Sequence, residues 1–139
     1  MNEAADVSRF PLDGLVDDAL YLLIIKRSET MGEKPGDLVQ GTLEMLVLKT
    51  LALEPLHGYG IALRIEQISG GVFRVNPGSL LPALSRMERA GHVKAEWRAT
   101  ENNRRAKYYA LTRAGRAALE DEQHQWGRQM AAINRILEA

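Results

Sequence analysis

Two pairs of arginines in the second half of the chain have the residue type and the spacing to bind a polyanion. Arg86 and Arg89 stand close together, and Arg104 and Arg105 follow after a stretch of alternating polar and apolar residues. A guanidinium group can pair bidentately with guanine or clamp a phosphate. Residues 74–113 contain nine Lys and Arg and three acids, a net charge of +6, whereas the whole chain has a formal net charge of zero. This concentration of positive charge indicates a surface for nucleic acid.

The first arginine pair belongs to a predicted amphipathic helix within GSLLPALSRMERAG, residues 78–91. One apolar stripe recurs at helical spacing and consists of Leu80, Leu84 and Met87. The opposite face carries Pro82, Ser85, Arg86 and Arg89. The apolar stripe therefore predicts the buried side of the helix, and the arginines lie on the side that stays free.

The ends of this helix are predicted from capping residues. Either Asn76 or Ser79 can cap the start. A cap at Ser79 would place Pro82 in the first turn, where the missing N–H of proline costs nothing. Gly91 is expected to end the helix as the residue after the C-cap.

A predicted β-hairpin follows the helix directly. Apolar and polar residues alternate over VKAEWR at residues 93–98, which is the period of a strand. Residues 100–103, TENN, are typical of a turn, and the tyrosines at 108 and 109 suit a return strand. Arg104, Arg105 and Lys107 stand at the start of that return strand, so the hairpin carries its own basic group.

Four stretches in collinear order resemble the PadR family of winged helix-turn-helix transcriptional regulators. They are GTLEMLVLKTLALEPLHGYGI (41–61), GSLLPALSRMERAGHV (78–93), RRAKYYALTRAGRAAL (104–119), and Trp126 with the apolar positions after it. They match in turn the family's first helix and HGY turn, its recognition helix, the return strand of its wing with the start of the last helix, and its dimerisation helix. The resemblance covers residues 41–137.

The resemblance implies a mainly α fold with a small β-hairpin wing. It divides the chain into an N-terminal extension at residues 1–36, a winged helix-turn-helix DNA-binding domain at 37–112 and a C-terminal dimerisation helix at 113–139. A homodimer would place two recognition helices in successive major grooves of an inverted-repeat operator, about 34 Å apart. The implied function is that of a repressor, released from DNA by a small hydrophobic or aromatic effector.

DNA contact is expected from the free face of the helix and from the wing. The expected contact residues are Ser79, Leu81, Pro82, Ser85, Arg86 and Arg89 in the helix and Arg104, Arg105 and Lys107 in the wing. The family usually has a tyrosine where this chain has Leu81. A leucine side chain cannot form a hydrogen bond, so this contact is either lost or replaced by apolar contact with a thymine methyl group.

The last helix is predicted to begin after Thr112 as its N-cap and to run to about Leu137. Its apolar positions recur at roughly heptad spacing, which favours a helix–helix interface; they are Leu119, Trp126, Met130, Ile133 and Leu137. In relatives with a short C-terminal helix, the matching tryptophan lines a cavity between the two subunits. The resemblance therefore implies that flat hydrophobic ligands can stack at this position.

The remaining helices and a further strand are predicted from periodicity and turn residues. Asp37 is expected to cap a first helix that runs to about Leu53, and the HGYG turn at 57–60 opens a second helix that ends at a glycine pair. The residues expected to face inward are Leu43, Leu46, Val47 and Leu51 in the first helix and Ile61, Ile65 and Ile68 in the second. Residues 72–75, VFRV, read as a short strand that pairs with the wing.

Composition and spacing exclude other classes of site. The chain has no cysteine, which excludes disulfides, zinc ribbons and thiol catalysis and fits a cytoplasmic protein. Its three histidines lack the spacing of metal ligands, and its glycines lack that of a phosphate-binding loop. We therefore expect no enzyme, no metal and no cofactor. The apolar run at residues 19–25 is too short to span a bilayer, which needs about 20 residues.

Residues 1–30 differ from the rest of the chain because they contain six acids and only three bases. An amphipathic helix could be formed by Leu12, Leu15, Val16, Ala19, Leu22 and Leu23. Met31, however, opens a stretch that resembles a complete start of a family member. Two interpretations stay open: an accessory helix that packs on the dimer, or a start assigned too early.

A chain that begins at Met31 distinguishes these interpretations. If the start is assigned too early, the shorter chain is expected to fold, dimerise and bind DNA as well as the full chain. Size-exclusion chromatography and DNA titration of both chains measure this. Aggregation of the shorter chain would show that Leu15, Val16, Leu22 and Leu23 belong to the core, and the early-start interpretation would be wrong.

Two other functions compete with the expected one. A MarR-like winged-helix regulator would have paired helices at both ends of the chain, which requires structure at residues 12–27. A protein-interaction module that kept the fold and lost DNA binding is favoured only by Leu81.

Overall fold

The computed structural model describes residues 41–100 and 103–139, which form four helices and three strands. In chain order they are α1 (Leu43–Leu53), β1 (Leu56–His57), α2 (Gly58–Ile68), α3 (Pro77–Arg89), β2 (Val93–Ala99), β3 (Arg105–Leu111) and α4 (Arg113–Leu137). The strands form one antiparallel sheet in the order β1-β3-β2, and β2 with β3 makes the wing. This confirms the expected mainly helical fold with a hairpin wing and a long last helix. Asp37, the boundary at residue 36 and the stretch 12–27 lie outside the described residues.

The core lies where the first three helices meet the base of the wing. Its members include Val47, Leu48, Ile61, Leu80, Leu84 and Met87, with Val93 and Tyr109 from the wing. Full burial of a valine, leucine, isoleucine or methionine side chain contributes about 1.5–3 kcal/mol to the free energy of folding. The apolar stripe predicted for α3 is buried throughout, which fixes the opposite face of α3 as the exposed one. In α1 the predicted stripe is less complete, since Leu43 and Leu46 are only half-buried.

The strand predicted at residues 72–75 is absent from the described chain, and this prediction was wrong. The first two amides of this segment donate hydrogen bonds to the carbonyl and hydroxyl oxygens of Ser69 at the end of α2, so they are not available to a partner strand. The third strand is instead β1, which pairs with Tyr108 and Tyr109 of β3. A strand of two residues is too short for its period to be recognised in a sequence.

The HGYG turn opens α2 as predicted. The Nδ1 atom of His57 accepts a hydrogen bond from the amide of Gly60 at 3.0 Å, so the histidine acts as the N-cap. Ile61 and Ile65 are buried, as their spacing predicted. Ile68 is 43% exposed, and its predicted inward position is wrong because it is the last residue of α2 and lies at the edge of the core.

The start of α3 is set by Asn76 and not by Ser79. The Oδ1 atom of Asn76 accepts a hydrogen bond from the amide of Gly78 at 2.7 Å, and Pro77 occupies the first helical position, where it needs no N–H partner. The alternative cap at Ser79 is therefore wrong, and Pro82 lies inside the helix. Pro82 has no N–H and so cannot donate a hydrogen bond to the preceding turn of the helix.

Thr112 ties the start of α4 to the end of α3. Its hydroxyl donates to the carbonyl of Gly91 at 2.6 Å and accepts from the amide of Gly115 at 3.0 Å. Gly91 has a φ of +79°, the left-handed conformation expected for the residue after a helix C-cap. Both capping predictions are confirmed. One threonine side chain therefore links the residue after α3 to the first turn of α4.

Candidate nucleic-acid interface

The face of α3 opposite the core presents most of the residues predicted to contact DNA. Its exposed side chains include Ser79, Pro82, Ser85, Arg86 and Arg89. Leu81 is different, because it is half-buried and packs against the core. Of the six helix positions predicted to contact DNA, Leu81 is thus the one that offers only part of its side chain to a ligand.

Arg86 and Arg89 lie in the last turn of α3, where a positive charge is favourable to the helix dipole. Within residues 41–100 and 103–139, neither guanidinium has an ion-pair partner. An unpaired guanidinium keeps all five N–H donors and its full charge. These two groups are therefore available to a phosphate or to a base edge.

The wing ends in a tight turn that exposes its arginines. The amide of Thr100 donates to the carbonyl of Arg104, and the amide of Arg104 donates to the Thr100 hydroxyl at 3.3 Å. Asn103 has a φ of +59°, a left-handed conformation that asparagine tolerates better than most residues. Arg104 and Arg105 are both exposed beyond this turn.

Lys107 connects the wing to α3. Its Nζ atom lies 3.2 Å from the Oε1 atom of Glu88 and 5.6 Å from the ring centroid of Tyr109. Both charged side chains are partly exposed, so the ion pair is a modest one. The geometry gives Lys107 a role in holding the wing against α3, in addition to the DNA contact predicted for it.

Replacing Glu88 by glutamine is expected to tighten DNA binding. Glutamine keeps an oxygen that accepts the Lys107 hydrogen bond, but it removes the only acid of α3. Without a negative charge at position 88 to repel the DNA backbone, one additional phosphate contact per subunit can form. In a dimer this would steepen the log–log dependence of DNA affinity on salt by about 2. Dissociation constants at several salt concentrations measure this. Weaker binding by a variant of unchanged thermal stability would contradict the expectation and would show that the negative charge itself is required.

The sequence did not single out Trp97 as a functional residue. Strand alternation places it on the same face as Val93 and Ala95, but the wing extends past the core and Trp97 is 55% exposed. Its ring lies 5.6 Å from the guanidinium carbon of Arg105. The signal that could have found it is the cluster of basic residues that the pairing of the two strands brings beside it.

The apolar positions of α4 separate into two groups. Leu119 is 7% exposed and belongs to the core of the chain itself. Trp126 and Met130 are half-buried, and Trp126 packs against the edge of that core. Ile133 is exposed, and Leu137 is 77% exposed. The part of α4 that can meet a second subunit therefore begins at Trp126.

One apolar cavity lies between α1 and α2 and has a volume of about 340 Å³. Its lining residues are Leu46, Lys49, Thr50, Leu53, Ile65, Ile68, Ser69 and Phe73. Trp126 is not among them. The cavity is thus separate from the position on α4 where the sequence predicted a ligand.

The described part of the chain shows neither a metal-binding cluster nor a membrane-spanning helix. Across 41–100 and 103–139, no three His, Cys, Asp or Glu side chains come together as a group that could hold a metal ion. None of the helices in these ranges combines the length and the apolar character needed to cross a membrane.

Residues 47–121 match the sequence profile of the PadR-like family of transcriptional regulators. An uncharacterised 37.1 kDa protein in transposon Tn4556 of Streptomyces fradiae is 47% identical over 85 residues, which are 61% of this chain and 23% of that protein. The chain thus corresponds to less than a quarter of that relative's length. A transcriptional regulator of Mycobacterium tuberculosis is 33% identical over 83 residues, which are 60% of this chain and 74% of that protein.

Solved structures share the fold. A PadR-like transcriptional regulator from Bacillus cereus is 28% identical and superposes with a TM-score of 0.62 over 72% of this chain and 95% of that chain. PadR of Bacillus subtilis in complex with operator DNA is 22% identical, with a TM-score of 0.54 over 59% of this chain and 46% of that chain. At that identity, the second likeness concerns the fold alone.

Proposed function

Because the chain belongs to the PadR-like family of transcriptional regulators, we propose that it represses transcription by binding operator DNA through α3 and the wing. The family consists of regulators and not of enzymes, in agreement with the function expected from the sequence. Membership of the PadR-like family also argues against the alternative of a MarR-like regulator. The observation that carries the proposal is the exposed pair Arg86 and Arg89, which has no ion-pair partner in the described residues and stands beside a basic wing.

The two elements are proposed to do different work on the DNA. The side chains of Ser85, Arg86 and Arg89 project from one face of α3, which has the size to enter a major groove and reach base edges. Arg104 and Arg105 lie at the tip of the wing, where they would hold flanking phosphates or the minor groove. On this basis α3 supplies sequence preference and the wing supplies affinity.

A homodimer is proposed because α4 leaves apolar side chains in solvent. Ile133, Ile136 and Leu137 are exposed near its end, and together they make an apolar surface that a second copy of α4 can cover. Two copies of α3 would then lie about 34 Å apart, one turn of DNA. The operator that matches this two-fold symmetry is an inverted repeat. We expect the protein to act in the cytoplasm.

The test is a DNA titration at several salt concentrations, with the DNA upstream of the protein's own coding region and a scrambled duplex of the same length. The full chain is expected to prefer the upstream DNA. Arg89→Ala is expected to reduce that preference by about 1–3 kcal/mol per half-site if the contact is to a base. Lys49→Ala, which removes the same charge from α1, is the matched control and should keep the preference.

Equal and weak binding of the full chain to both duplexes would contradict sequence-specific repression. Absence of binding even at low salt would favour the alternative of a protein-interaction module that has lost DNA binding.

The release of this repressor is proposed to depend on Trp126. Trp126 lies four residues before Met130 and seven before Ile133, so the three side chains share one face of α4. If this face meets its symmetry mate, a planar apolar molecule can stack between the two indoles. Such molecules are expected to quench Trp126 fluorescence and to lower operator affinity. The measurement uses a Trp97→Phe protein, which removes the other tryptophan signal.

Replacement of Trp126 by alanine provides the control for this prediction. If ligand-induced release from DNA persists in that variant, the ligand site is elsewhere, and the cavity between α1 and α2 becomes the next candidate. If the variant is monomeric, Trp126 is an interface anchor and the sensing role is not supported.

A further inference from the structure

Trp97 lies on the face of the wing that points toward α3. The strand register sets Trp97 directly opposite Lys107 and sets Arg105 opposite Ala99, so Trp97, Arg105 and Lys107 share one face of the hairpin. Lys107 reaches Glu88 of α3 from this face. Trp97 and Arg105 therefore extend the surface of α3 outward along the wing.

The indole ring holds the guanidinium of Arg105 in a cation–π contact. The guanidinium carbon lies 5.6 Å from the ring centroid, within the range of this interaction. In the ranges 41–100 and 103–139, no carboxylate pairs with Arg105. Because no carboxylate occupies its N–H donors in the described chain, the Arg105 guanidinium can still bind a phosphate while it lies over the ring.

Arg98, on the other face of the same hairpin, is a contrasting case. Its guanidinium carbon lies 4.9 Å from the ring centroid of Tyr108, but its Nη2 atom is also 3.7 Å from the carboxylate of Glu96. Tyr108 is buried, whereas Trp97 is 55% exposed. Arg98 thus has a carboxylate beside it as well as a ring, whereas in the described chain Arg105 lies over an exposed ring and has no carboxylate partner.

We propose that Trp97 is a positioning residue for DNA binding: it holds Arg105 in reach of a phosphate, and the DNA backbone then covers its exposed ring. The inference rests on the proposed function, since it assigns a role within the same interface. The long arginine side chain loses less freedom on binding when it is already held in one orientation. The apolar part of the indole would pack against the deoxyribose next to the bound phosphate.

The affinity test compares Trp97→Ala, Arg105→Ala and the double variant with the unaltered full chain, on a short random-sequence duplex at low salt. Such a duplex is suitable because phosphate contacts do not depend on sequence. Trp97→Ala is expected to weaken binding by about 5- to 30-fold per dimer, the combined effect of two exposed cation–π contacts. The double variant should bind more weakly than Arg105→Ala by much less than the loss that Trp97→Ala causes alone, because only the packing of the indole on the deoxyribose is left to lose. Trp97→Phe should retain part of the affinity, because phenylalanine still offers a ring.

A fluorescence measurement tests the covering of the ring separately. Acrylamide quenching is recorded with and without saturating duplex, for the unaltered chain and for Trp97→Phe. DNA is expected to protect tryptophan fluorescence in the unaltered chain, and the protection should be absent from Trp97→Phe. A similar thermal unfolding curve for each variant shows that the fold is kept.

The outcomes separate this inference from the proposed function. If the unaltered chain does not bind the duplex at low salt, the proposed function fails. If it binds, but DNA does not protect Trp97 and Trp97→Ala binds as tightly, the inference is overturned and the proposed function stands. If the losses in Trp97→Ala and Arg105→Ala simply add, Trp97 acts apart from Arg105 and the positioning role is wrong.

Discussion

Replacing Arg104 and Arg105 together by alanine is expected to weaken binding to every DNA sequence and to flatten its dependence on salt. Each phosphate contact contributes about 0.9 to the log–log salt slope, and a dimer loses each contact twice. The slope should therefore fall by about 2 if one arginine per subunit contacts phosphate, and by about 4 if both do. Dissociation constants over a range of salt concentrations measure this, with one operator duplex and one random-sequence duplex.

The matched control removes two positive charges from other elements, through Lys49→Ala in α1 and Arg128→Ala in α4. Both side chains are exposed in the described chain. This control should change the slope far less, because it alters the net charge without removing a wing contact. An unchanged slope in the wing variant would show that the wing arginines do not contact phosphate. An equal change in both variants would show that the effect comes from net charge alone.

Replacing Gly115 by alanine is expected to destabilise the fold by about 3 kcal/mol, the upper part of the range for overpacking. A Cβ atom at this position would overlap the carbonyl oxygen of His92 and lie 2.6 Å from the Cδ1 atom of Leu111. The His92 carbonyl cannot move away easily, because it also accepts a hydrogen bond from the amide of Thr112 at 3.1 Å. A shift of His92 would therefore disturb the link between α3 and the wing. Urea unfolding at a fixed protein concentration measures the loss.

Gly127→Ala is the matched control on the same helix. In the described residues, and apart from the adjacent backbone of α4 itself, nothing lies within 4 Å of a Cβ built at Gly127, so alanine should stabilise α4 by up to about 1 kcal/mol. If Gly115→Ala is as stable as the unaltered chain, the start of α4 does not pack closely on the turn between α3 and the wing. The two substitutions are chemically identical, so only their surroundings can explain a difference of sign.

Local signals in the sequence predicted much of the fold. The spacing of Leu80, Leu84 and Met87 identified the buried side of α3, because residues three or four positions apart lie on the same face of a helix. Thr112 was recognised as an N-cap because its hydroxyl can accept a hydrogen bond from the first turn of the helix. Gly91 was recognised as the residue after a C-cap because glycine readily adopts the left-handed conformation that ends a helix. These features depend on neighbours in the chain, which a sequence displays directly.

Features that depend on distant residues could not be predicted in the same way. The ion pair of Lys107 with Glu88 joins residues that the turn after α3 and the wing bring together, and no spacing rule indicates it. The burial of Leu119 depends on how α4 packs on α1, so a heptad pattern alone could not separate the core of one chain from an interface between two. The cation–π contact of Arg105 with Trp97 likewise depends on strand register.

The most direct test of the central claim is to sequence the DNA that the purified full chain retains from a mixture of genomic fragments. A dimer that binds through two copies of α3 should retain fragments with one shared inverted repeat, whose half-site centres are separated by about one turn of DNA, roughly 10 base pairs. Retention of fragments without a common sequence, or of a single half-site with no repeat, would contradict sequence-specific binding by a dimer through α3.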